Sequence, residues 1–553
     1  MQAQAARRLC SQITSAAARL AYLDAAPRYP AFDVTHSIAT FAEAWSHLDA
    51  KARVEEEEVM VAGRIVSKRE LSAKLYFLDV VQNGNRVQIL SERQYWEGDD
   101  ADAAAEDFRL THQSLRRGDV IGVRGFPGKS GRGELSVIPR ELSVLAPCLR
   151  PLPSEREGLT DPELRFGQRY LDLLVNPTSI ETLRTRSRVT RFIRDFFHNE
   201  GFDEVETPTL WPSASGASAA PFVTDRAAAS GKELFLRIAP ELFLKQLVIG
   251  GMDRVFEVGK VFRNEGVTPR HNPEFTMVEA YAAYADREFI MSMTERLLSS
   301  LVKDLTGGYI LTVQRPLVPL GSGGGGGGGG EEKEEEGSEV EMETVEIDFT
   351  PPFRRVSMLS ELESLLDAPG LQKVVLRSAD GESASVDEAE ALLSACCEQV
   401  DIVCPTPRTV PRLLDRLASH LIERPAMSPV FVCDQPLALS PLAKEHTQAG
   451  AGSNTSLAGC ADRFELLVAG QELANAYVEL NDPEEQRKRF QEQDALLSRG
   501  DSDAVRKDDA FCEALEYGLP PTAGWGLGVD RLTMLVTNSA HIREVLCFPT
   551  STR

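Results

Sequence analysis

The chain has 553 residues, a formal net charge of −24, and 42% hydrophobic against 26% charged residues. That length is roughly three or four domains' worth, and the composition is that of a globular protein with a large core, which excludes collagen-like, disordered and small disulfide-framework classes. No run of about 18 apolar residues occurs, which excludes a transmembrane helix, and net acidity taken as one number argues against a phosphate-bearing partner.

In chain order, residues 1–58 read as an N-terminal helical segment. Arg7, Arg8 and Arg19 stand there among Ala and Ser with no acid before Asp24, which is compatible with a mitochondrial presequence, although a short surface helix is the preferred reading. The cytoplasm is the expected compartment and the mitochondrial matrix its alternative. Residues 59–147 hold five strand-like runs separated by Gly-, Asn- and Lys-containing turns: Val59–Ile65, Leu75–Val81, Arg86–Leu90, Asp119–Gly125 and Glu134–Pro139. Five short strands in so few residues predict an oligonucleotide-binding (OB) type β-barrel. A hinge follows over 148–177, opening on the Pro-rich CLRPLPSEREGLTD.

Residues 178–553 are expected to form an α+β domain on an antiparallel sheet flanked by helices. Thr178–Glu200 carries apolar residues at helical spacing, with Gly201 as its stop. Strands are expected over Val255–Phe262, Phe275–Tyr281, Phe464–Val468 and Leu473–Leu480. The Gly run and Glu-rich run at 321–346 read as an unpacked insert. The nine cysteines are scattered with no C-x-x-C pair, so free thiols are expected and a zinc site is not.

Three segments carry chemistry. Phe262-Arg263-Asn264-Glu265 and Arg270-His271-Asn272 lie between two apolar runs. In the second run, period 2 puts Phe275, Glu279 and Tyr281 on one face, where a ring, a carboxylate and a phenol suit a flat base and a cation. Arg263 and Arg270 can clamp phosphate or carboxylate oxygens. Alone, this fits a solvated hairpin as well. Arg463–Glu479 reads as a second hairpin turning near Gly470, whose Glu465 and Glu472 could hold Mg²⁺. Alternation groups Asn475, Tyr477 and Glu479 on one face, so Glu472 joins them only through a bulge. Last, Gly524-Trp525-Gly526-Leu527-Gly528 permits close backbone approach before a helix expected near Asp530, which places Arg531 beside a helix N-terminus.

Together these segments resemble the signatures of the class II aminoacyl-tRNA synthetases. Gly201–Pro208 resembles their first motif, which implies a homodimer with Pro208 at its interface. Phe262–Phe275 is similar to the second and Gly524–Arg531 to the third. The barrel resembles the anticodon-binding module of the lysine, aspartate and asparagine subgroup. Arg237–Leu242, Phe349–Arg355, Ser440–Lys444 and Asn475–Pro483 are most similar to its lysine branch. Glu479 agrees: a buried ammonium needs carboxylates around it, whereas an anionic substrate would be repelled.

The resemblance implies ATP-dependent formation of lysyl-adenylate and transfer of the lysyl group to the 3′ end of lysine tRNA. It also implies residue roles. Gly216 and Glu241 would receive the lysine α-amino group, while Glu279, Tyr281, Tyr477 and Glu479 shape the side-chain pocket. Arg263, a catalytic residue with Arg531, would bridge the lysine carboxylate and the α-phosphate, and Asn475 would orient that carboxylate. Glu265 would read adenine, Phe275 and Arg531 would stack on its two faces, His271 and Asn272 would serve the ATP site, and Glu465 and Glu472 would hold Mg²⁺. Arg69, Phe77, Gln88 and Glu134 are the implied anticodon contacts, although Phe77 also fits a core position. The sequence departs from the family pattern at Arg270, at Ala280 and after Phe548-Pro549, and it lacks a lysine-rich N-terminal helix. A ligase that lysylates a protein and a non-catalytic tRNA-binding relative are the rival readings.

Read locally, the charge divides. Residues 331–346, 97–107 and 55–58 hold −8, −6 and −4, whereas residues 60–93 and 109–150 hold +3 and +5. The barrel strands are thus basic and the acidity sits in expected loops.

Overall fold

The computed structural model describes residues 29–550 except 155–157, 214–215, 217–218, 225–232, 317–341, 378–382, 405, 447–458, 499–504 and 506. The presequence-like residues 1–28 and most of the Gly/Glu insert lie outside the described residues. Two compact units are present, one up to Asp161 together with Tyr170–Pro177, the other Pro162–Arg169 with Thr178 onward.

In the first unit, helix α1 (Ile38–Trp45) precedes a closed barrel of β1 (Val59–Ser72), β2 (Leu75–Gln82), β3 (Asn85–Glu92), β4 (Val120–Lys129) and β5 (Leu135–Ala146) in the order β1-β2-β3-β5-β4. Alternation closes it. Val59, Val61 and Ile65 point inward with Leu78, Val80, Val87, Ile89, Ile121, Val123 and Val137, burying each strand's apolar face. Asn83 and Gly84, both at positive φ, make the tight β2–β3 turn. The acidic segment 97–107, expected as a loop, instead starts helix α2 (Ala101–Ser114). The Asp100 side chain accepts from Asp102 N and Ala103 N, and Asp102 sits in the first turn, where the helix dipole favours an acid. Phe108 and His112 then anchor the helix on Tyr76 and Trp96. The expected hinge is partly helical, as α3 (Pro162–Gly167) and α4 (Arg169–Val175).

The second unit centres on an eight-stranded sheet. Helix α5 (Pro177–Asn199) leads into β6 (Asp203–Glu204) and a small sheet of β7 (Leu210–Trp211), β8 (Val223–Thr224) and β9 (Leu234–Leu236). Then come α6 (Glu241–Ile249), β10 (Arg254–Phe262), β11 (Glu274–Ala283), α7 (Arg287–Thr306), β12 (Ile310–Pro316), β13 (Met342–Asp348) and β14 (Arg354–Ser357). Four helices follow, α8 (Met358–Leu365), α9 (Leu371–Arg377), α10 (Ser383–Gln399) and α11 (Val410–Ala418), ending in a π-turn over Ser419–Glu423. The chain returns through β15 (Val430–Cys433), β16 (Arg463–Val468), β17 (Gln471–Val478), α12 (Pro483–Ser498), α13 (Asp509–Leu515), β18 (Thr522–Gly528), α14 (Val529–Thr537) and α15 (Ile542–Val545).

The main sheet runs β14-β15-β16-β17-β18-β11-β10-β6. Its centre is antiparallel as expected, but both edges are parallel, β6 on β10 and β14 on β15, because each edge strand arrives over a helical crossover. One face is covered by α5 and α7 through Val189, Ile193, Phe197, Leu297, Leu298 and Leu301, packed on Phe256, Val278, Ala280, Ala474 and Trp525. Ala280 therefore lies on the helix-covered face, opposite the expected substrate residues of β11. The insert reading is corrected at its end: residues 342–346 belong to β13, paired with β12 from Met342 to Asp348, so the loop stops short of 346. Helices α8–α11 build a second core around Leu359, Leu362, Leu393, Leu413 and Leu417. Among the described residues no helix is long and apolar enough to cross a membrane.

Candidate active site

The uncovered face of the second unit's sheet holds a cavity of about 510 Å³. Strands β11, β17 and β18 form its floor, and the loop from Arg263 to Asn272, the segment 439–443 and α14 form its walls. Gly216, Glu241, Arg263, Glu265, His271, Asn272, Phe275, Glu279, Tyr281, Glu465, Glu472, Asn475, Tyr477 and Arg531 all line it, drawn from segments hundreds of residues apart. Sequence reasoning missed Asp415 and Arg463, which line it too. The spacing Val410, Leu413, Leu414, Leu417 was a legible helix signal that would have brought Asp415 into view.

A bulge does what alternation could not. Leu466 pairs with Ala474 and Leu467 with Glu472, leaving Leu473 as the extra residue of β17. Glu472 is thereby rotated to the side of Asn475 and Tyr477 and lines the same cavity. Arg463 braces this hairpin, donating from Nε to Asn475 Oδ1 at 3.0 Å, from one terminal nitrogen to Ser440 Oγ and Leu439 O at 2.9 Å, and from the other to Glu465.

The cationic end is tightly wired. Arg263 lies 5.2 Å from the Phe275 ring centroid, and its buried Nε has no hydrogen-bond partner. Arg531 donates to Glu472 O at 2.9 Å and to His271 Nε2 at 3.0 Å. Because guanidinium can only donate, His271 accepts at Nε2, which assigns its proton to Nδ1 facing Thr268 Oγ1 at 2.8 Å. Burial and the neighbouring Arg531, Arg263 and Arg270 hold the His271 pKa down, so the ring is neutral near pH 7. The departure at Arg270 is accommodated by a bond to Gly470 O at 3.2 Å. Asp530, one residue before Arg531, is buried, pairs with Arg186 of α5 and accepts from Thr276 N at 2.7 Å.

The opposite end is acidic. Glu241 Oε1 accepts from Tyr477 Oη at 2.7 Å, and Glu279 Oε2 from Tyr281 Oη at 3.1 Å. Burial and then Glu241 raise the Glu279 pKa to about 8. Glu479 does not line the cavity. It lies beneath it, fully buried, with Oε2 against the Lys245 ammonium. Burial pushes Glu479 well above the usual carboxylate range, Lys245 pulls against that shift, and Glu241 and Glu279 add to it. Lys245 went unread although it stands one helical turn after Glu241.

Burial also lifts Glu465 to about 7, Arg463 opposing and Glu472 adding to the shift. Two neighbouring carboxylates of this kind are the donor set a hard divalent ion suits. Among the described residues no group of three or more His, Cys, Asp or Glu side chains is arranged to hold a metal. Two carboxylates with phosphate oxygens and water completing the shell are the usual Mg²⁺ arrangement, and the residues present fit it.

In the barrel, Arg69 and Phe77 are cross-strand partners, with the guanidinium carbon 5.8 Å from the ring centroid. Phe77 is half-buried beside Leu90 and Phe126. Gln88 is 3% exposed and donates to Glu134 Oε2 at 2.7 Å.

An antiparallel sheet with an arginine-lined nucleotide face, a glycine-alternating strand and a five-stranded barrel defines a class II synthetase architecture. The model of class II tRNA synthetases (D, K and N) matches residues 161–552, and the chain belongs to that family. Several lysine–tRNA ligases are among the proteins it is similar to. That of Cladosporium cladosporioides is 39% identical over 94% of this chain and 80% of its own length. A probable cytoplasmic lysine–tRNA ligase of Encephalitozoon cuniculi is 41% identical over 95% and 94%, and the lysine–tRNA ligase of Moorella thermoacetica 37% over 94% and 92%.

Proposed function

We propose that this protein activates L-lysine with ATP and transfers the lysyl group to the 3′ end of lysine tRNA. One observation carries the reading. The cavity is acidic at the end formed by Glu241 and Glu279, above Glu479, and cationic at the end formed by Arg263 and Arg531, where a neutral His271 meets Arg531; this division matches an amino acid with an extra ammonium beside a triphosphate.

Glu241 and Gly216 receive the α-ammonium, and Glu279, Tyr281 and Tyr477 enclose the ε-ammonium, with Glu479 beneath them as a buried counter-ion. Asn475 and Arg263 hold the substrate carboxylate, Glu265 and Phe275 take the adenine with Arg531 over its other face, and His271 and Asn272 meet the phosphates. Mg²⁺ bound by Glu465 and Glu472 would neutralise charge on the phosphate oxygens. The lysine carboxylate then attacks the α-phosphorus in line, the bond to the bridging oxygen breaks, and pyrophosphate leaves with its electron pair. A ribose hydroxyl of the tRNA end next attacks the lysyl carbonyl and AMP departs. Positioning and charge neutralisation suffice, with no protein nucleophile.

The barrel serves the anticodon: Phe77 stacks a base, Arg69 supports it, and Gln88 orients Glu134 toward a base edge. A homodimer through the Pro208 region is supported by Leu210 and Trp211, 47% and 44% exposed two and three residues further on. The proposed compartment is the cytoplasm. Buried free thiols at Cys396, Cys433 and Cys512 fit a reducing environment, and a reporter fused to residues 1–58 tests the mitochondrial alternative. Charging of purified lysine tRNA with labelled lysine tests the whole reading: ATP-dependent, acid-precipitable label is expected, and none would overturn it. Transfer of label to protein with tRNA omitted would favour the protein-lysylating rival.

A further inference from the structure

Lys245 is wholly buried, yet it carries an ammonium. That Nζ lies 2.6 Å from Glu241 Oε1, against Glu479 Oε2, and 5.6 Å from the ring centroids of Tyr477 and Phe511. A cation so placed is costly unless carboxylates and rings compensate it, and here they do. Lys245 is not among the residues that line the cavity, so it can touch a substrate only through the two glutamates.

The groups facing Glu479 are Lys245 and Glu241 from α6, Glu279 and Tyr281 from β11, and Tyr477 from β17. Strand β18 contributes Gly524, where any side chain would collide with Glu479 Oε1 and the Tyr281 ring. Among the described residues Glu479 Oε1 has no hydrogen-bond partner and lies with the Tyr281 ring beside Gly524, while Oε2 is ion-paired with Lys245. The charges also tally. With every group ionised, Glu241, Glu279 and Glu479 against Lys245 and Arg263 leave one net negative charge, and lysine brings one net positive charge; without lysine, Glu279, raised to about 8, holds a proton at pH 7 that a bound ammonium would displace. Without Lys245 the cavity would carry two uncompensated carboxylates in a buried space, and a proton would settle on one of them.

We propose that Lys245 is a positioning residue for substrate selection: a resident ammonium that favours the ionised form of Glu479 and aims it from beneath the cavity, so that the pocket accepts an amino acid bearing one net positive charge. This rests on the lysine-activation reading above.

Lys245→Met in the full chain tests it, read by ATP–pyrophosphate exchange between pH 6 and 9. The expected result at pH 7 is a rise in KM for lysine of about tenfold or more, as one unit of carboxyl pKa implies, with KM for ATP within about twofold. The acid limb of kcat/KM for lysine should move up by about one pH unit, so that alkali restores part of the loss. An unchanged KM and pH profile, with the unsubstituted protein active, would overturn the proposal and leave the lysine reading intact. No lysine-dependent exchange by the unsubstituted protein would overturn that reading instead. If Lys245→Met does not fold, Lys245→Gln, which still donates but carries no charge, is read by the same criteria. Lys245→Arg should keep the acid limb in place, and a displaced limb there would contradict the charge argument.

Discussion

Glu279 meets two opposed demands. Lysine recognition needs its carboxylate ionised, while burial beside Glu241 holds its pKa near 8. A carboxyl raised from 4.5 to about 8 binds more protons folded than unfolded, so between those values stability falls as pH rises. The ligand-free protein should therefore melt lower at pH 8 than at pH 6 on this group's account. Glu279→Gln should flatten that slope and raise the pH 8 melting temperature by about 2 °C, since about 1 kcal/mol moves a large domain that far. It should also raise KM for lysine by about tenfold, the worth of one charged hydrogen bond. A melting temperature that drops together with a KM that stays put would refute this. Glu465, lifted to about 7, gives the metal counterpart. Because Mg²⁺ must displace its proton, the Mg²⁺ concentration for half-maximal exchange should rise about tenfold per unit below pH 7. Glu465→Gln should remove that pH dependence along with most of the activity.

At the scale of elements, Asp530 shows how the site is held. It ties α14 to Arg186 of α5 and to the backbone of β11, so the helix bearing Arg531 is fixed to both elements at one buried point. Asp530→Asn leaves Arg186 without its counter-ion and should lower unfolding free energy by about 3 kcal/mol in urea titrations, with a fall in exchange rate larger than any change in KM for lysine. Unaltered stability would show that the clamp is incidental. Sequence pattern made β10, β11, β16 and α5 legible to within a residue or two, because the strands are apolar runs bounded by polar segments and α5 carries apolar residues at helical spacing. The same logic failed wherever a long-range contact decides the outcome. The Leu473 bulge is set by pairing across β16 and β18. The acidic run at 97–107 becomes helical because Asp100 caps it and Phe108 docks on the barrel. Residues 342–346 extend as a strand because β12 offers them an edge.

For the whole molecule, the two units divide the charge. The bases of the barrel strands should govern tRNA affinity and have no part in amino-acid activation. KM for tRNA should therefore climb steeply between 50 and 200 mM salt, by about 10² or more if several phosphates are contacted, while KM for lysine in exchange moves little. Equal salt sensitivity of the two would contradict this division. The residues lining the cavity were almost all legible once three distant motifs were read together. Lys245 and Arg463 were not, because each acts through a neighbour that only the fold supplies. The central claim, that this cavity adenylates lysine, is tested most directly by ATP–pyrophosphate exchange with each amino acid in turn, on the intact protein and on Arg263→Ala. Exchange with lysine that exceeds that with aspartate or asparagine by orders of magnitude, and its collapse in the variant, is the expected result. Absence of exchange with lysine, or undiminished exchange in Arg263→Ala, would contradict it.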